Sequence, residues 1–285
     1  MVLGIDDLVA DRDPGGSGAS TGTGGPVCAA QCGTEGCGVC PDTARVEGGG
    51  FSIDAVEVSI ARYQAWLATN PSVEGQREEC DTKWNDSFQK GVPTQAAIEA
   101  LAAAGEIYEP DPQCDDEPLS DEWPISCVDW CDASAYCKWA GGRLCGEIGG
   151  GGIIDVTDGA ASGHHDNPDE SEWFRACSNG GAQRFPYGAD YAAVCNDEGS
   201  NLRPVGDYED CQGGLAGLFD MSGNVAEWED ACTYYNSEDP VQNCLVRGGT
   251  WYNTGDEPNL ECAAFRDVKR ASLNYSMGFR CCYDG

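Results

Sequence analysis

Apolar residues begin to recur in regular patterns at Gly48, first as a run from Phe51 to Val58 that predicts a short strand. Ser59 then stands where a helix N-cap belongs, and Ile60, Tyr63, Trp66 and Leu67 share one face of the helix it would start. A second helix is predicted over 94–104, capped by Thr94 and stopped by Gly105. A third is predicted from about Asp132 to Ala140, where Gly141-Gly142 ends it. The stretch 146–168 is Gly-rich and aperiodic, as a surface loop would be. Asp169-x-x-Glu172 has capping-box spacing and predicts a short helix through Trp173 and Cys177. Beyond residue 185 helical periodicity nearly vanishes, leaving short segments punctuated by Trp, Tyr and Gly. Chains of that texture depend on cross-links and loop-bound ions for rigidity.

Ahead of this region, residues 13–26 (DPGGSGASTGTGGP) read as a flexible linker. The spacing Cys28-x3-Cys32-x4-Cys37-x2-Cys40 contains one CxxC where zinc ribbons have two, so two local disulfides fit better than a zinc site. The expected organisation is a tether over 1–27, a small Cys-rich segment over 28–45 and one domain over 46–285.

Composition narrows the chemistry. A chain of 285 residues with 41% hydrophobic content and eight Trp can build a core, which excludes wholesale disorder. Sixteen Lys and Arg against 49 Asp and Glu give a net charge of −33. Phosphate backbones and anionic membrane surfaces would be repelled, so no nucleic-acid partner is expected. Eighteen Cys argue for an oxidising compartment and up to nine disulfides, hence an extracytoplasmic protein: secreted, periplasmic or a surface-anchored lipoprotein. No apolar run is long enough to span a bilayer. The opening Met1-Val2-Leu3-Gly4-Ile5 lacks the basic and apolar regions of a signal peptide. The expectation is that the export signal lies outside this sequence, with Met1 replacing a processed terminus and a lipid anchor lying upstream of Val2.

From residue 123 onward the motifs follow one order. Ala135-Tyr136-Cys137-Lys138-Trp139-Ala140-Gly141-Gly142-Arg143-Leu144 precedes Glu170-Ser171-Glu172-Trp173-Phe174 and Arg184-Phe185-Pro186-Tyr187-Gly188. Pro204-Val205-Gly206 follows, then Gly217-Leu218-Phe219-Asp220-Met221-Ser222-Gly223-Asn224-Val225-Ala226-Glu227-Trp228. Arg247-Gly248-Gly249-Thr250-Trp251 and Gly278-Phe279-Arg280-Cys281 close the series. These resemble the AYCxWAGKRLPTEAEWE, FPWG, PVG, GLYDMHGNVWEW, RGGSW and GFRC motifs of the formylglycine-generating enzyme (sulfatase-modifying factor) family. Upstream, Gly48-Gly49-Gly50-Phe51 and Asp54-Ala55-Val56-Glu57-Val58 are similar to its opening GGxF and DxxEVT.

The resemblance implies an α+β, loop-rich and disulfide-rich domain of the formylglycine-generating-enzyme type of C-type-lectin-like fold. It implies disulfides Cys137–Cys281 and Cys177–Cys262. For the other cysteines, loop-closing spans suggest Cys195–Cys211 and Cys232–Cys244, with Cys80–Cys114 as a further pairing. Catalytic relatives oxidise a substrate Cys using two thiolates that hold copper(I). Those places fall here at Asn253 and near Pro258, so copper is not expected and catalysis is disfavoured. Calcium is expected: the resemblance gives it the side chains of Asp220 and Glu227 with the carbonyls of Gly223 and Val225, and a second site would use Asn196 and Asp197. A three-His iron site, found in other related domains, cannot be assembled from the adjacent pair His164 and His165, which read as a solvated loop pair; a weak site with Asp166 or Asp169 stays open.

The function expected from these readings is a non-catalytic binding module for an extracellular protein, peptide or glycan. Its candidate surface is Trp251, Tyr252, Asn253, Thr254, Asp256, Asn259 and Arg266, where aromatic, amide and guanidinium groups cluster in sequence. The alternatives are an oxidoreductase of the same family and a structural surface or matrix protein.

Overall fold

The computed structural model describes residues 27–80, 85–93, 95–103, 105, 111–115, 120–154, 164–233, 242–253 and 257–285. The predicted tether, apart from residue 27, and the cap Thr94 lie outside them.

A four-stranded antiparallel sheet runs in the order β1 (Arg45–Glu47), β2 (Phe51–Asp54), β9 (Cys281–Asp284), β3 (Arg143–Leu144). The domain's second and last strands are thus hydrogen-bonded neighbours, with Phe51 opposite Asp284. The second sheet runs β4 (Ile153–Ile154), β5 (Ala226–Cys232), β6 (Asn243–Arg247), β7 (Arg266–Lys269), and β8 (Met277–Gly278) pairs with β5 in parallel. Every residue of β5 is buried, because it is the strand on which the other elements converge.

Among the described residues, four helices pack around the sheets. In α1 (Ile60–Leu67) Ser59 accepts from the Arg62 amide as the expected N-cap, and Ile60, Tyr63 and Trp66 are buried. The second, α2, covers Gln95–Ala103. The third, α3, begins earlier than its apolar spacing suggested, at Trp130, and ends at Trp139. Asp129 accepts from the Asp132 amide and Asp132 accepts from the Asp129 amide, so Asp132 is the closing member of a capping box and not the helix start. The fourth, α4 (Glu172–Cys177), is capped by Ser171 and not by Asp169. Glu172, read as the far half of a capping box, instead turns inward to Arg143 at 2.6 Å and the Gly146 amide at 3.0 Å. A charged partner held in a buried site outcompetes a local cap.

The main core lies between α1, α3 and the segment entering β9. Tyr63 stacks on Tyr136 at 5.7 Å, Trp66 meets Phe88 at 4.8 Å, and Phe279 meets Tyr136 edge-on at 5.5 Å. Such aromatic pairs add to the burial term through their quadrupoles. A second cluster around Phe51, Trp173, Leu218 and Met221 lies beneath the turn described below.

All eighteen Cys are in disulfides. The bonds include Cys137–Cys281, Cys177–Cys262, Cys195–Cys211 and Cys232–Cys244. Cys28–Cys37 and Cys32–Cys40 consume the four thiols of the N-terminal segment as two local bridges. The pairing Cys80–Cys114 is corrected: Cys80 bonds Cys131 in α3, and Cys114 bonds Cys127. Chain spacing alone carried no sign that Cys131, on the first turn of a helix, would pair with Cys80. Among the described residues no helix is long and apolar enough to cross a membrane.

Candidate functional site

The turn that leads into β5 gathers one cluster of the domain's buried polar groups. Asp220, Gly223 and Asn224 all have positive φ, at 57°, 79° and 56°. Asp and Asn tolerate that region through local hydrogen bonds, and Gly223 is required by space as well: a Cβ there would stand 2.4 Å from the Asn196 carbonyl oxygen. Asn224 Nδ2 donates to Glu57 Oε1 at 3.0 Å, and its Oδ1 accepts from Asn196 Nδ2 and the Arg203 amide, each at 3.0 Å. One asparagine therefore joins the α1 entry, the 196–203 loop and the turn.

Beneath it lie three buried carboxylates, Glu57, Asp220 and Glu227, around one guanidinium. Arg280 donates to Glu227 through Nη2 at 2.6 Å and Nε at 2.7 Å, and to the carbonyls of Asp54 and Phe219. Trp173 Nε1 adds a third bond to Glu227 at 2.8 Å. Asp220 Oδ2 accepts from the Gly206 amide at 2.5 Å. Glu57 Oε2 is buried without a partner. Burial pushes the Asp220 carboxyl up to about 6. Burial, then the neighbouring Asp220 charge, hold Glu57 well above its ordinary range.

This constellation fits a hard cation in part as expected and in part differently. One guanidinium among three carboxylates leaves negative charge uncompensated, and the partnerless Glu57 oxygen faces that deficit. Glu227, expected as a calcium ligand, already has both oxygens engaged by Arg280 and Trp173. The free carboxylate capacity lies on Asp220 and Glu57. Glu57 was not among the residues expected at this turn, although an acid flanked by Val56 and Val58 in a run that turns out buried was the available signal. Asn196 is drawn onto the turn, with its Oδ1 buried and unpartnered, whereas Asp197 Oδ2 accepts from Tyr191 at 2.8 Å.

A cavity of about 240 Å³ opens at the end of β6, lined by Arg247, Tyr252, Asn253, Asn259, Phe265 and Arg266 among others. The structure thus brings together four of the predicted surface residues. Trp251 is half-buried against the main core, and Thr254 and Asp256 lie outside the described residues. Asn253 Oδ1 accepts from the Thr250 amide and from Thr250 Oγ1, closing the turn after the GGTW segment. The positions that the sequence resemblance pointed to for a thiolate pair are that asparagine and, nearby, the exposed Pro258.

The two histidines part company. His164 pairs with Glu170 at the surface, whereas His165 is buried with its ring against Phe265, 4.5 Å between centroids. The expectation of a solvated pair is corrected for His165: the Arg247 guanidinium takes its carbonyl and pulls the residue inward. One group of potential metal-binding side chains, Cys145, Glu172 and Cys282, has its ligand atoms within 4.8 Å of one another. The two sulfurs are bonded to each other, and Glu172 is clamped by Arg143, so that cluster offers no site.

Comparison with known proteins gives the same architecture a family. Pkn1, a serine/threonine-protein kinase of Chlamydia trachomatis, is 31% identical over 183 residues, covering 59% of this chain and 25% of that protein. This chain therefore matches about a quarter of the length of that relative. The inactive C-alpha-formylglycine-generating enzyme 2 of Mus musculus is 30% identical over 176 residues, 56% of this chain and 49% of the relative. The formylglycine-generating enzyme of Mus musculus is 26% identical over 290 aligned residues, 84% of this chain and 68% of the enzyme. The model of the sulfatase-modifying factor enzyme 1-like domain matches residues 17–284, and with its turn, strand order and motifs the chain belongs to that family.

Proposed function

We propose that this chain is an extracytoplasmic, calcium-stabilised member of the family that performs no copper-thiolate chemistry and serves as a binding module through the cavity beside Tyr252. One observation carries the reading: all eighteen cysteine sulfurs are committed to disulfides, and Asn253, at the place the resemblance gives to the first thiolate, has its Oδ1 spent on Thr250. Copper(I) needs soft thiolate ligands, and an amide and a proline are not substitutes. An oxidising compartment follows from nine disulfides in one chain.

Calcium would be held by Asp220 and Glu57 with the Gly223 and Val225 carbonyls, and Asn196 on the flank. Bound there, it would neutralise carboxylates that are otherwise costly to ionise in the interior. Glu227 serves the same turn from the other side by fixing Arg280.

Metal analysis with thiol titration on natively purified protein tests the reading. Stoichiometric calcium, no titratable thiol and no copper(I) uptake are expected. Two titratable thiols with tight copper(I) would overturn it and mark the protein as an oxidase.

A further inference from the structure

We propose that the cavity beside Tyr252 takes an acidic pyranose, a uronate residue of a glycan; this rests on the binding reading above and names its ligand class. Tyr252 is the aromatic side chain most open to solvent among the described residues, 47% exposed. Its ring is held in place, edge-on to Trp251 at 4.9 Å and with its hydroxyl 3.3 Å from Ser276 Oγ. A fixed aromatic face is a platform for a ring with C–H groups on one side, and fixing it beforehand lowers the ordering cost of binding.

The polar groups around that platform are mostly donors. Asn253 uses Oδ1 on the Thr250 turn, which leaves its Nδ2 for a ligand. Arg266 is exposed at the start of β7 and makes no ion pair among the described residues. Strand alternation sends the neighbouring Asp267 to the other face, and burial raises the Asp267 carboxyl. A guanidinium and an amide donor on one cavity ask for a ligand rich in acceptors, and the planar fork of Arg266 matches a carboxylate. An aliphatic peptide side chain would leave these donors unmatched. The volume, about 240 Å³, suits a sugar ring better than a helix or strand. The chain's charge of −33 repels anions at range, but screening beyond about 8 Å leaves the contact group to decide.

Calorimetric titration of the calcium-loaded full chain with trigalacturonate and with its neutral methyl ester tests this. Binding of the acid is expected, weakened about tenfold or more by esterification, by Arg266→Gln and by Tyr252→Ala. Both variants change exposed side chains, and circular dichroism checks their folding. No heat with trigalacturonate, equal affinity for the ester, or affinity that survives Tyr252→Ala would overturn the proposal. Binding of an acidic peptide that depends on Arg266, with trigalacturonate silent, would overturn the sugar and leave the binding module standing. Copper(I) uptake with titratable thiols would instead overturn the module.

Discussion

Arg280 and Glu227 form a two-pronged ion pair, 2.6 and 2.7 Å between heavy atoms, with both side chains 1% exposed. Because Asp220 and Glu57 crowd the same space, Arg280 is the group that makes the carboxylate cluster tolerable. Arg280→Gln is expected to cost about 3–5 kcal/mol, since it strands a buried charge. Urea unfolding in calcium measures it, with Arg280→Lys losing less because it keeps the charge without the fork.

Calcium removal should expose the same crowding. Chelation is expected to lower the Tm of the wild type, and Glu57→Gln, which deletes one repelling charge and one ligand, should shrink that difference. Gly223→Ala should mimic metal loss, because its Cβ would collide with the Asn196 carbonyl and the residue would be held at positive φ. Differential scanning calorimetry with and without chelator separates the three cases.

The capping box of α3 predicts a pH dependence of unusual sign. Burial pushes Asp129 up to about 6, and burial with the Asp129 charge holds Asp132 well above the carboxylate range. The native state therefore binds protons more readily than the unfolded chain, and the pair's contribution to stability falls as pH rises from about 4 to above 6. Asp132→Asn keeps an acceptor for Asn85 and should flatten that part of the profile. Urea midpoints at several pH values decide it.

His165 predicts the opposite slope. Both ring nitrogens are buried without partners, and burial, then the Arg247 charge, lower its pKa. The unfolded chain takes up the proton first, so stability is expected to fall as pH drops below about 6.5. His165→Leu should remove the loss at low pH and leave neutral-pH stability unchanged or raised, because no hydrogen bond disappears. The same urea series, run on this variant, isolates the effect.

Much of this architecture was legible in local pattern. Ser59 and the Ile60, Tyr63, Trp66 face identified α1, and the motif order pointed to the family. What the sequence did not disclose were choices made by distant partners. Glu172 sits at a capping spacing, yet Arg143, 29 residues away, claims it. Asp129 caps α3 from a position with no apolar periodicity to announce it. Glu227 stood out in its motif, but its commitment to Arg280 depends on a contact 53 residues along the chain. His165 lies in a polar loop whose burial is imposed by Arg247 and Phe265, neither of which is near in sequence.

Adjacent Cys281 and Cys282 reach in different directions, to Cys137 in α3 and to Cys145 beside β3. During synthesis both partners are made well over a hundred residues before the sulfurs they await. Cys137 and Cys145 are only eight positions apart and must stay reduced, or be released from a wrong bond, until β9 emerges. The last strand of this domain to be made is therefore the one that closes it covalently, so oxidative maturation of the domain should wait for β9 and depend on thiol–disulfide exchange catalysts.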